Sequence, residues 1–269
     1  MSLTIDGKHI SELNLQLLRD HQNPAAPSTR DNVMTIPGIH GAYDFGASLG
    51  VREFRLPVHL KLKDEYETLS SAVRKVMAVF VDPYGKPKTV KLIFDYEPDK
   101  YYMVRYSGNI PINRLFSMGK FELPLTAYDP HAYSVLESTN DIRWQDMIPW
   151  MSDIPMSYKK ASYTVNNAQT LTLDNYGLQI VRPVIEISGS ANDLTFTLNG
   201  ERFSLGSFTN STFLIDAERY AVLKDGQNFL FQLQGNIEKL EIMPGANAIP
   251  IGGSNLNINI AFKYRAKYI

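Results

Sequence analysis

The segment that decides the fold is residues 97–133, EPDKYYMVRYSGNIPINRLFSMGKFELPLTAYDPHAY. Apolar and polar residues alternate here and just before it, which predicts strands at 89–95, 101–107 and 120–127. The apolar face of the last strand consists of Phe121, Leu123, Leu125 and Ala127. Asp129-Pro130 ends that strand, because proline cannot donate to a strand ladder. The segment contains no cluster of histidine, carboxylate and nucleophile, so it predicts paired strands rather than an active site.

Composition is that of a globular protein and excludes several kinds of site. The 269 residues suffice for one large or two medium domains, and 15 Tyr with 13 Phe favour strands and contact surfaces. A net charge of −1 provides no basic surface for nucleic acid. Because the chain has no cysteine, it has no disulfide, no thiolate nucleophile and no cysteine-ligated metal.

Neither a secretion signal nor a membrane span is predicted. The N-terminus MSLTIDGKHISELNL lacks the charged start and apolar core of a secretory signal. No apolar run is long enough to cross a bilayer. We therefore expect a protein without a membrane partner, which acts inside the cell or leaves it by lysis as part of a particle.

Residues 1–137 predict an N-terminal α+β domain. Asp6-Gly7 accepts the backbone angles of a tight turn and predicts a β-hairpin over residues 3–10. Alternation over residues 54–62 predicts a further strand. Pro57 within it cannot donate to a ladder and therefore predicts a position at the edge of the sheet.

One amphipathic helix is predicted at about residues 64–81. Its apolar residues recur every three or four positions and form one stripe of Tyr66, Leu69, Val73, Val76, Met77 and Phe80. Asp64 can cap the first turn, with Glu67 able to reach back to it. The turn residues of 82–85, DPYG, end the helix. We expect the apolar stripe to pack on the sheet, since a lone helix is marginal in water.

Residues 20–50 form a long segment without a sustained period. They contain NPAAPS and IPGIHGAYDFGASLG. A loop of this length inside a compact domain is usually functional or mobile. We interpret it as an arm that reaches beyond its own domain, with Tyr43 and Phe45 as anchors. An ordinary surface loop is the alternative that these residues leave open.

Residues 138–163 are interpreted as a connector between two domains. They contain both tryptophans and include Trp144, Met147, Trp150 and Met151. Aromatic residues and methionine are enriched in interfaces, but they are also common in cores. This group therefore predicts either a partner-binding patch or packing between the domains.

Residues 164–269 predict an antiparallel β-sandwich. Short alternating runs recur about every eight to twelve residues, with turn signals between them. The runs are 184–187, 194–198, 213–215, 220–223, 229–233, 237–242 and 256–262. The turn signals are Asn199-Gly200, Asp225-Gly226, Pro244-Gly245 and Gly252-Gly253. The whole chain is therefore predicted to be mainly β.

Residues that could carry chemistry do not form a catalytic pattern. Residues 46–50, GASLG, match G-x-S-x-G, but that motif needs a strand before the serine and a helix after it. Here a loop precedes Ser48 and a strand follows. The five histidines occur singly, although His131 follows Asp129-Pro130. No phosphate-binding loop, dinucleotide fingerprint or calcium loop is present. We predict no catalytic, cofactor-binding or metal-binding residues, no cofactor, and no enzymatic activity.

Two surfaces of the C-terminal part leave alternatives open. A saccharide site would combine an aromatic platform with a few polar groups, and its candidates are Phe208, Phe213, Tyr220, Phe229 and Phe231. Lys263, Arg265 and Lys267 share one face of the last strand. That basic face suits an acidic partner or a solvated strand.

Nine pieces of the chain, in order, resemble the distal tail proteins of bacteriophages with long, non-contractile tails. In the first half they are IPGIHGAYDFG (36–46), REFRLPVHL (52–60), EPDKYY (97–102) and MGKFELPLTAYDPHAY (118–133). In the second half they are NYGLQIVRPVIEISG (175–189), TFTLNG (195–200), FLIDAERYAVLKDGQNFL (213–230), LEIMPGANAIPIGG (240–253) and LNINIAFKYRAKYI (256–269). The segment 138–165 departs from the family.

The resemblance implies a structural protein of the virion. Its N-terminal domain would form a homo-hexamer, as one ring or as two rings back to back, and its galectin-like C-terminal domain would project outward. The ring would join the tail tube protein to tail-associated, fibre, baseplate or receptor-binding proteins, and DNA would cross its lumen. The arm at 20–50 is then the expected contact between subunits.

The resemblance also implies a location at the distal end of the phage tail, after synthesis in the cytoplasm of the bacterial host. The alternative function is a carbohydrate-binding accessory or receptor-binding component of the tail tip.

Overall fold

The computed structural model describes residues 2–62, 68–115, 118–142, 152–155 and 158–269. The chain forms two compact units: unit 1 is Met1–Ala132 together with Ile269, and unit 2 is Tyr133–Tyr268. Strands account for 54% of the chain and helices for 8%, which confirms the predicted mainly-β class.

Unit 1 is an antiparallel sheet with one α-helix among its described residues. Its elements are β1 (Leu3–Ile5), β2 (Lys8–His9), a 3-10 helix (Ile10–Leu13), β3 (Leu15–Leu17), β4 (Thr29–Met34), β5 (Tyr43–Leu49), β6 (Arg52–Lys61), α1 (Leu69–Met77), β7 (Val90–Phe94), β8 (Glu97–Tyr106), β9 (Ile112–Leu115) and β10 (Met118–Ala127). The strand order is β2-β1-β7-β8-β10-β6-β3, and β9 pairs with β10. The β1–β2 hairpin turns at Asp6-Gly7, as predicted.

The core of unit 1 is built on β6 and β10, which pair along their whole length. Leu123 lies opposite Leu56, and Leu125 lies opposite Phe54. Apolar cross-strand pairs of this kind stabilise a sheet. The buried alternate residues of the two strands are Phe54, Leu56, Val58, Leu60, Phe121, Leu123, Leu125 and Ala127. The faces predicted from the period of two are therefore confirmed.

Pro57 does not lie at an edge of the sheet, so that prediction was wrong. β6 has β10 on one side and β3 on the other, and Pro57 lies opposite Glu122 of β10. β3 ends at Leu17, and the N–H of Leu18 donates to the carbonyl of Pro57 at 2.9 Å. Proline is tolerated here because the neighbouring strand is only three residues long, and its ladder is already ending.

The helix is shorter than predicted, and its described start is capped by Thr68. The Oγ1 of Thr68 accepts the N–H of Ser71 at 3.3 Å. Val76 of the predicted stripe is buried, and so is Ala72, which the prediction did not include. α1 ends at Met77 rather than at 81 because the chain then turns, although Phe80 still reaches the core. The predicted caps Asp64 and Glu67, with Tyr66 of the stripe, lie outside the described residues.

Unit 2 is a second antiparallel sheet. β11 (Ala132–Ser134) spans the division between the units. The later strands are β12 (Ser162–Val165), β13 (Gln169–Asn175), β14 (Val184–Leu198), β15 (Glu201–Asp216), β16 (Ala221–Lys224), β17 (Gln227–Asn228), β18 (Gly245–Lys263) and β19 (Lys267–Tyr268), with 3-10 helices at Leu230–Gln232 and Ile237–Lys239. The order is β12-β18-β14-β15-β16-β17, and β13 pairs with the first part of β18.

The long strands of unit 2 are curled by bulges. β14 shifts register against both β15 and β18 between Gly189 and Thr195. A bulge bends a strand and increases its twist. The predicted runs 184–187 and 194–198 are therefore one bulged strand. Its inward residues, among them Ile185 and Phe196, belong to one core shared with β15 and β18.

Two runs predicted as strands, 229–233 and 237–242, are not strands. Each begins instead with a short 3-10 helix. The Oδ1 of Asn228 accepts the N–H of Leu230, and the Oδ1 of Asn236 accepts the N–H of Glu238, both at 3.0 Å. Asparagine side chains that bond to nearby backbone compete with a strand ladder. The alternating apolar residues still face the core, because Phe229 and Ile237 pack against it from these turns.

Described residues of the predicted connector are bound to the last strands of unit 2. The hydroxyl of Ser138 donates to the carbonyl of Phe262 at 2.6 Å and accepts the N–H of Tyr264 at 2.9 Å. Ser138 is buried. Trp144, Met147, Trp150 and Met151 lie outside the described residues, so their role stays a prediction.

Ser138→Ala should lower the free energy of unfolding of unit 2. The change leaves the Phe262 carbonyl and the Tyr264 N–H without the Ser138 hydroxyl, which costs about 1–3 kcal/mol for buried groups. Urea denaturation of the purified protein measures this loss. Ser254→Ala, at an exposed serine of β18, is the control and should change stability by less than about 0.5 kcal/mol. Equal stability of the two variants would contradict the role given to Ser138.

Candidate interaction site

Unit 1 carries an exposed hairpin, residues 29–49, which we call the arm hairpin. Its strands β4 and β5 form a two-stranded sheet of their own. Thr29 lies opposite Leu49, and Met34 lies opposite Tyr43. Every residue of both strands is exposed. An isolated two-stranded hairpin is only marginally stable in water. Contact with another molecule would stabilise this one, so we treat it as a candidate binding surface.

One face of the arm hairpin carries large apolar side chains. Tyr43 and Phe45 are two residues apart on a strand and share a face, and Met34 lies across from Tyr43. These three side chains are 55%, 66% and 54% exposed, respectively. The connecting loop adds Ile36 and Ile39, which are also exposed. We call Met34, Ile36, Ile39, Tyr43 and Phe45 the arm patch. Several large apolar side chains exposed on one hairpin are typical of an interaction site.

A bulge explains why the sequence did not reveal the strand pair. Asp31 lies opposite Ala47, but Val33 lies opposite Asp44, so β5 contains one extra residue. Gly46 adopts φ +93° in this bulge, a conformation that favours glycine. The extra residue breaks the alternation of YDFGASL. Tyr43 and Phe45 were predicted as anchors; both are exposed on the hairpin.

The base of the arm hairpin is held tightly. The N–H of Gly50 donates to the carbonyl of Ser28 at 2.7 Å, and the Ser28 hydroxyl donates to the carbonyl of Val51 at 2.9 Å. A Cβ at Gly50 would lie 2.6 Å from the Ser28 Oγ and 3.2 Å from its carbonyl oxygen. Gln22 and Arg55 exchange two backbone hydrogen bonds below this point. The hairpin therefore leaves the sheet from a fixed base.

The serine motif lies within this hairpin and lacks the setting of a nucleophile. Ser48 lies in β5 opposite Arg30 and is exposed. After Gly50 the chain enters β6, whereas a nucleophile elbow continues into a helix. The loop predicted before Ser48 is instead the exposed strand β5, and the strand predicted after it is β6.

Asp129 and His131 meet in the turn after β10. Their side chains approach to 2.5 Å between Oδ1 and Nδ1, and the N–H of His131 donates to the same oxygen at 3.3 Å. A side chain that accepts the N–H two residues on is the usual way in which aspartate closes a turn. In the described part of the chain, no three His, Asp or Glu side chains are grouped so that they could hold a metal ion. No described helix is long and apolar enough to cross a membrane.

The five aromatics proposed for a saccharide platform do not share one surface. Phe208 and Phe213 are buried, with ring centroids 4.8 Å apart, and Phe229 packs edge-on against Phe213 at 5.3 Å. Tyr220 and Phe231 are exposed. Three of the five therefore belong to the core of unit 2 and are not available to a sugar.

Tyr220 belongs to an ion-pair cluster on unit 2. The Nη2 of Arg182 donates to Glu241 at 2.8 Å, and its Nη1 donates to the hydroxyl of Tyr220. The carboxylate of Glu241, followed by Tyr220, raises the pKa of Arg182. The predicted last strand is interrupted, because Lys263 ends β18, Arg265 lies between the strands and Lys267 begins β19. Lys263 pairs with Glu186 at 2.7 Å, and Arg265 pairs with Glu137 at 3.6 Å.

Two half-buried tyrosines of unit 2 donate hydrogen bonds to backbone carbonyls. The hydroxyl of Tyr264 donates to the carbonyl of Asp174 at 2.7 Å, and that of Tyr158 donates to the carbonyl of Glu137 at 3.2 Å. Burial raises the pKa of both tyrosines well above the usual value. They stay protonated at neutral pH and serve the packing of unit 2.

Residues 8–127 match the family model of the phage tail protein RIFT-related domain. The matched residues lie within unit 1. The arm hairpin lies inside the matched residues. No curated protein matches the chain in sequence.

The whole chain has the fold of a distal tail protein, which agrees with the sequence resemblance. It aligns with the crystal structure of the Dit protein (gp 19.1) of SPP1, which is described as a paradigm of the hub adsorption apparatus in phages that infect Gram-positive bacteria. The TM-score is 0.68 at 17% identity, and the alignment covers 100% of this chain and 99% of that one. The protein is thus Dit-like in fold throughout its length.

Two structures of the phage p2 baseplate in its activated conformation, with Sr and with Ca, also align. Each is 9% identical and covers 100% of this chain and 99% of the other, with TM-scores of 0.42 and 0.39. Similarity at this level adds nothing to the fold assignment.

Proposed function

We propose that this protein is the structural distal tail protein of a bacteriophage or prophage with a long, non-contractile tail. It forms a hexameric hub that joins the tail tube to tail-tip, fibre or baseplate proteins, and DNA passes through the lumen. The observation that carries this proposal is the arm hairpin within a phage tail domain. The Dit-like fold of the whole chain supports it.

The arm patch fits a second copy of the chain as its occupant. Met34, Tyr43 and Phe45 are exposed, and within the described residues β4 and β5 form a sheet of two strands only, so the hairpin has both surface and strand edges to pair. The hairpin of one copy would bind a different surface on the next copy, so the contact between the two copies is heterologous. Heterologous contacts that close by rotation generate rings. Each subunit would give its hairpin to one neighbour and receive that of the other.

The proposal assigns a different task to each part of the chain. Residues 1–137 form the ring, with the arm at 20–50 as the inter-subunit contact. Residues 164–269 form a galectin-like domain that projects outward, and 138–163 connect the two. The role is mechanical and non-enzymatic, and the protein acts at the distal end of the tail in the virion.

The mass of the purified protein tests the proposal. A ring of six 30.4 kDa chains weighs about 182 kDa (6 × 30.4 kDa). Native mass spectrometry should find this species, alone or after addition of the tail tube protein, and negative-stain electron microscopy should show rings. A protein that stays at 30.4 kDa under both conditions and binds cell-wall saccharide would refute the hub and favour a carbohydrate-binding tail-tip component.

A further inference from the structure

A buried arginine lies beneath the arm hairpin. Arg52 begins β6, where it pairs with Ala127 of β10, and it is 1% exposed. Its guanidinium carbon lies 5.1 Å from the centre of the Tyr102 ring. Its Nη2 donates to the carbonyl of Ala25, 3.1 Å away, in the segment that leads into the hairpin. Arg52 therefore connects the rigid sheet to the base of the arm.

The segment around Ala25 cannot be held by an ordinary strand ladder. Pro24 and Pro27 have no N–H, so two backbone donors are missing from NPAAP. Backbone hydrogen bonds resume on either side, at Gln22 and at Ser28. Between these points a carbonyl still needs a donor. The side chain of Arg52 supplies it at Ala25.

Arg52 does not have the environment of a residue that stabilises the core. Its Nε and Nη1 make no hydrogen bond within the described residues, although both are buried. A buried charge without a hydrogen-bonded carboxylate is costly, and an apolar replacement of similar size is often neutral or stabilising. The hydrogen bond of the Arg52 side chain goes to the Ala25 carbonyl of the arm, which indicates that the residue serves the arm rather than the core.

We propose that Arg52 is a positioning residue that fixes the direction in which the arm hairpin leaves unit 1. Its planar guanidinium packs against the Tyr102 ring on one side of the joint and binds the Ala25 carbonyl on the other. The consequence for assembly rests on the proposed ring. There, an arm hairpin of fixed direction places the arm patch on the neighbouring copy at little entropic cost.

The anchor is tested on single chains by a distance measurement. The chain has no cysteine, so Ala47→Cys in the hairpin and Glu122→Cys in β10 give one specific pair of spin labels. Labelled chains are diluted with unlabelled ones, so that each ring contains one labelled chain at most. Arg52→Met should broaden the distance distribution about twofold, because the segment at Ala25 loses its side-chain anchor and only the hydrogen bonds at Gln22, Ser28 and Gly50 still hold the base of the hairpin. Arg52→Lys keeps the charge without the planar fork and should broaden it by less.

The matched control is Arg55→Met, at an exposed arginine of the same strand whose backbone alone pairs with Gln22. It should leave the distribution unchanged. A distribution as narrow in Arg52→Met and Arg52→Lys as in the parent protein would overturn the proposal. Should Arg52→Met not fold, Arg52→Lys alone decides.

Assembly is the second readout and separates the two proposals. Arg52→Met should reduce the ring fraction at least about tenfold while the melting temperature stays close to that of the parent protein. If the parent forms no ring, the hub proposal fails, and the distance measurement still decides the anchor. If the arm loosens and rings persist unchanged, the link from arm direction to assembly is refuted.

Discussion

Replacing Tyr43 and Phe45 by serine should abolish ring formation and leave the single chain folded. Both side chains are more than half exposed, so their removal takes little from the packing of one copy. In the ring each would be a buried aromatic anchor, and truncation of such an anchor costs at least about 2 kcal/mol. Loss of both anchors at every subunit contact leaves monomers. Mass photometry across a dilution series measures this change.

Tyr84→Ser is the matched control. Tyr84 is an 88% exposed tyrosine of unit 1, displayed on a turn in which the Asp82 carboxylate accepts the N–H of Tyr84 at 2.9 Å. It has the same chemistry as Tyr43 but lies outside the arm. We expect rings of unchanged mass from this variant. Rings of full mass and stability from the Tyr43 and Phe45 double variant would exclude the arm patch as a subunit contact.

Gly189→Ala should have the largest effect on unit 2. Gly189 has φ +131°, and a Cβ there would lie 2.1 Å from the carbonyl oxygen of Asn257. The obstacle is the backbone of β18, where Gly189 pairs with Ile258. A main-chain neighbour cannot move without breaking the ladder between β14 and β18. We expect a loss of more than about 4 kcal/mol, or a unit 2 that does not fold.

Gly226→Ala separates steric collision from backbone strain. Gly226 also has a positive φ, of +80°, but a Cβ there meets nothing within 4 Å. Its cost should be the strain of the left-handed conformation alone, about 1–2 kcal/mol. Urea denaturation followed by intrinsic fluorescence and by circular dichroism measures both variants. Equal losses would show that contact with Asn257 is not the cause.

The repetitive parts of the fold were predictable from the sequence. A period of two placed Leu123 and Leu125 on a buried face because strand side chains alternate whatever the topology. Asp6-Gly7 marked a hairpin because few other residue pairs tolerate that turn. These signals are local, and neighbours distant in sequence do not alter them.

Features that depend on distant neighbours were not predictable. The non-edge position of Pro57 follows from the pairing of β3 with β6, and its tolerance there follows from the early end of β3 at Leu17; Pro57 itself encodes neither. The sequences after Asn228 and Asn236 alternate like strands. The two asparagine side chains nevertheless accept nearby backbone N–H groups, which favours a turn over strand pairing.

The position of the candidate site in the chain was predictable from the sequence, but its hairpin structure was not. The arm at 20–50 was recognisable by its lack of period, but the bulge at Gly46 concealed the strand pair. Arg52 gave no signal, because its role depends on a carbonyl that is 27 residues away along the chain.

The hydrogen bonds at the boundary of unit 2 have a consequence for its evolution. The N–H of Ser134 donates to the carbonyl of Ala266 at 3.0 Å, and the Lys267 ammonium lies over the Tyr133 ring. The chain therefore enters and leaves unit 2 at one place. A domain whose two ends meet can be inserted into a host protein or exchanged as a cassette. Unit 2 is built like a module that recombination can replace in one piece.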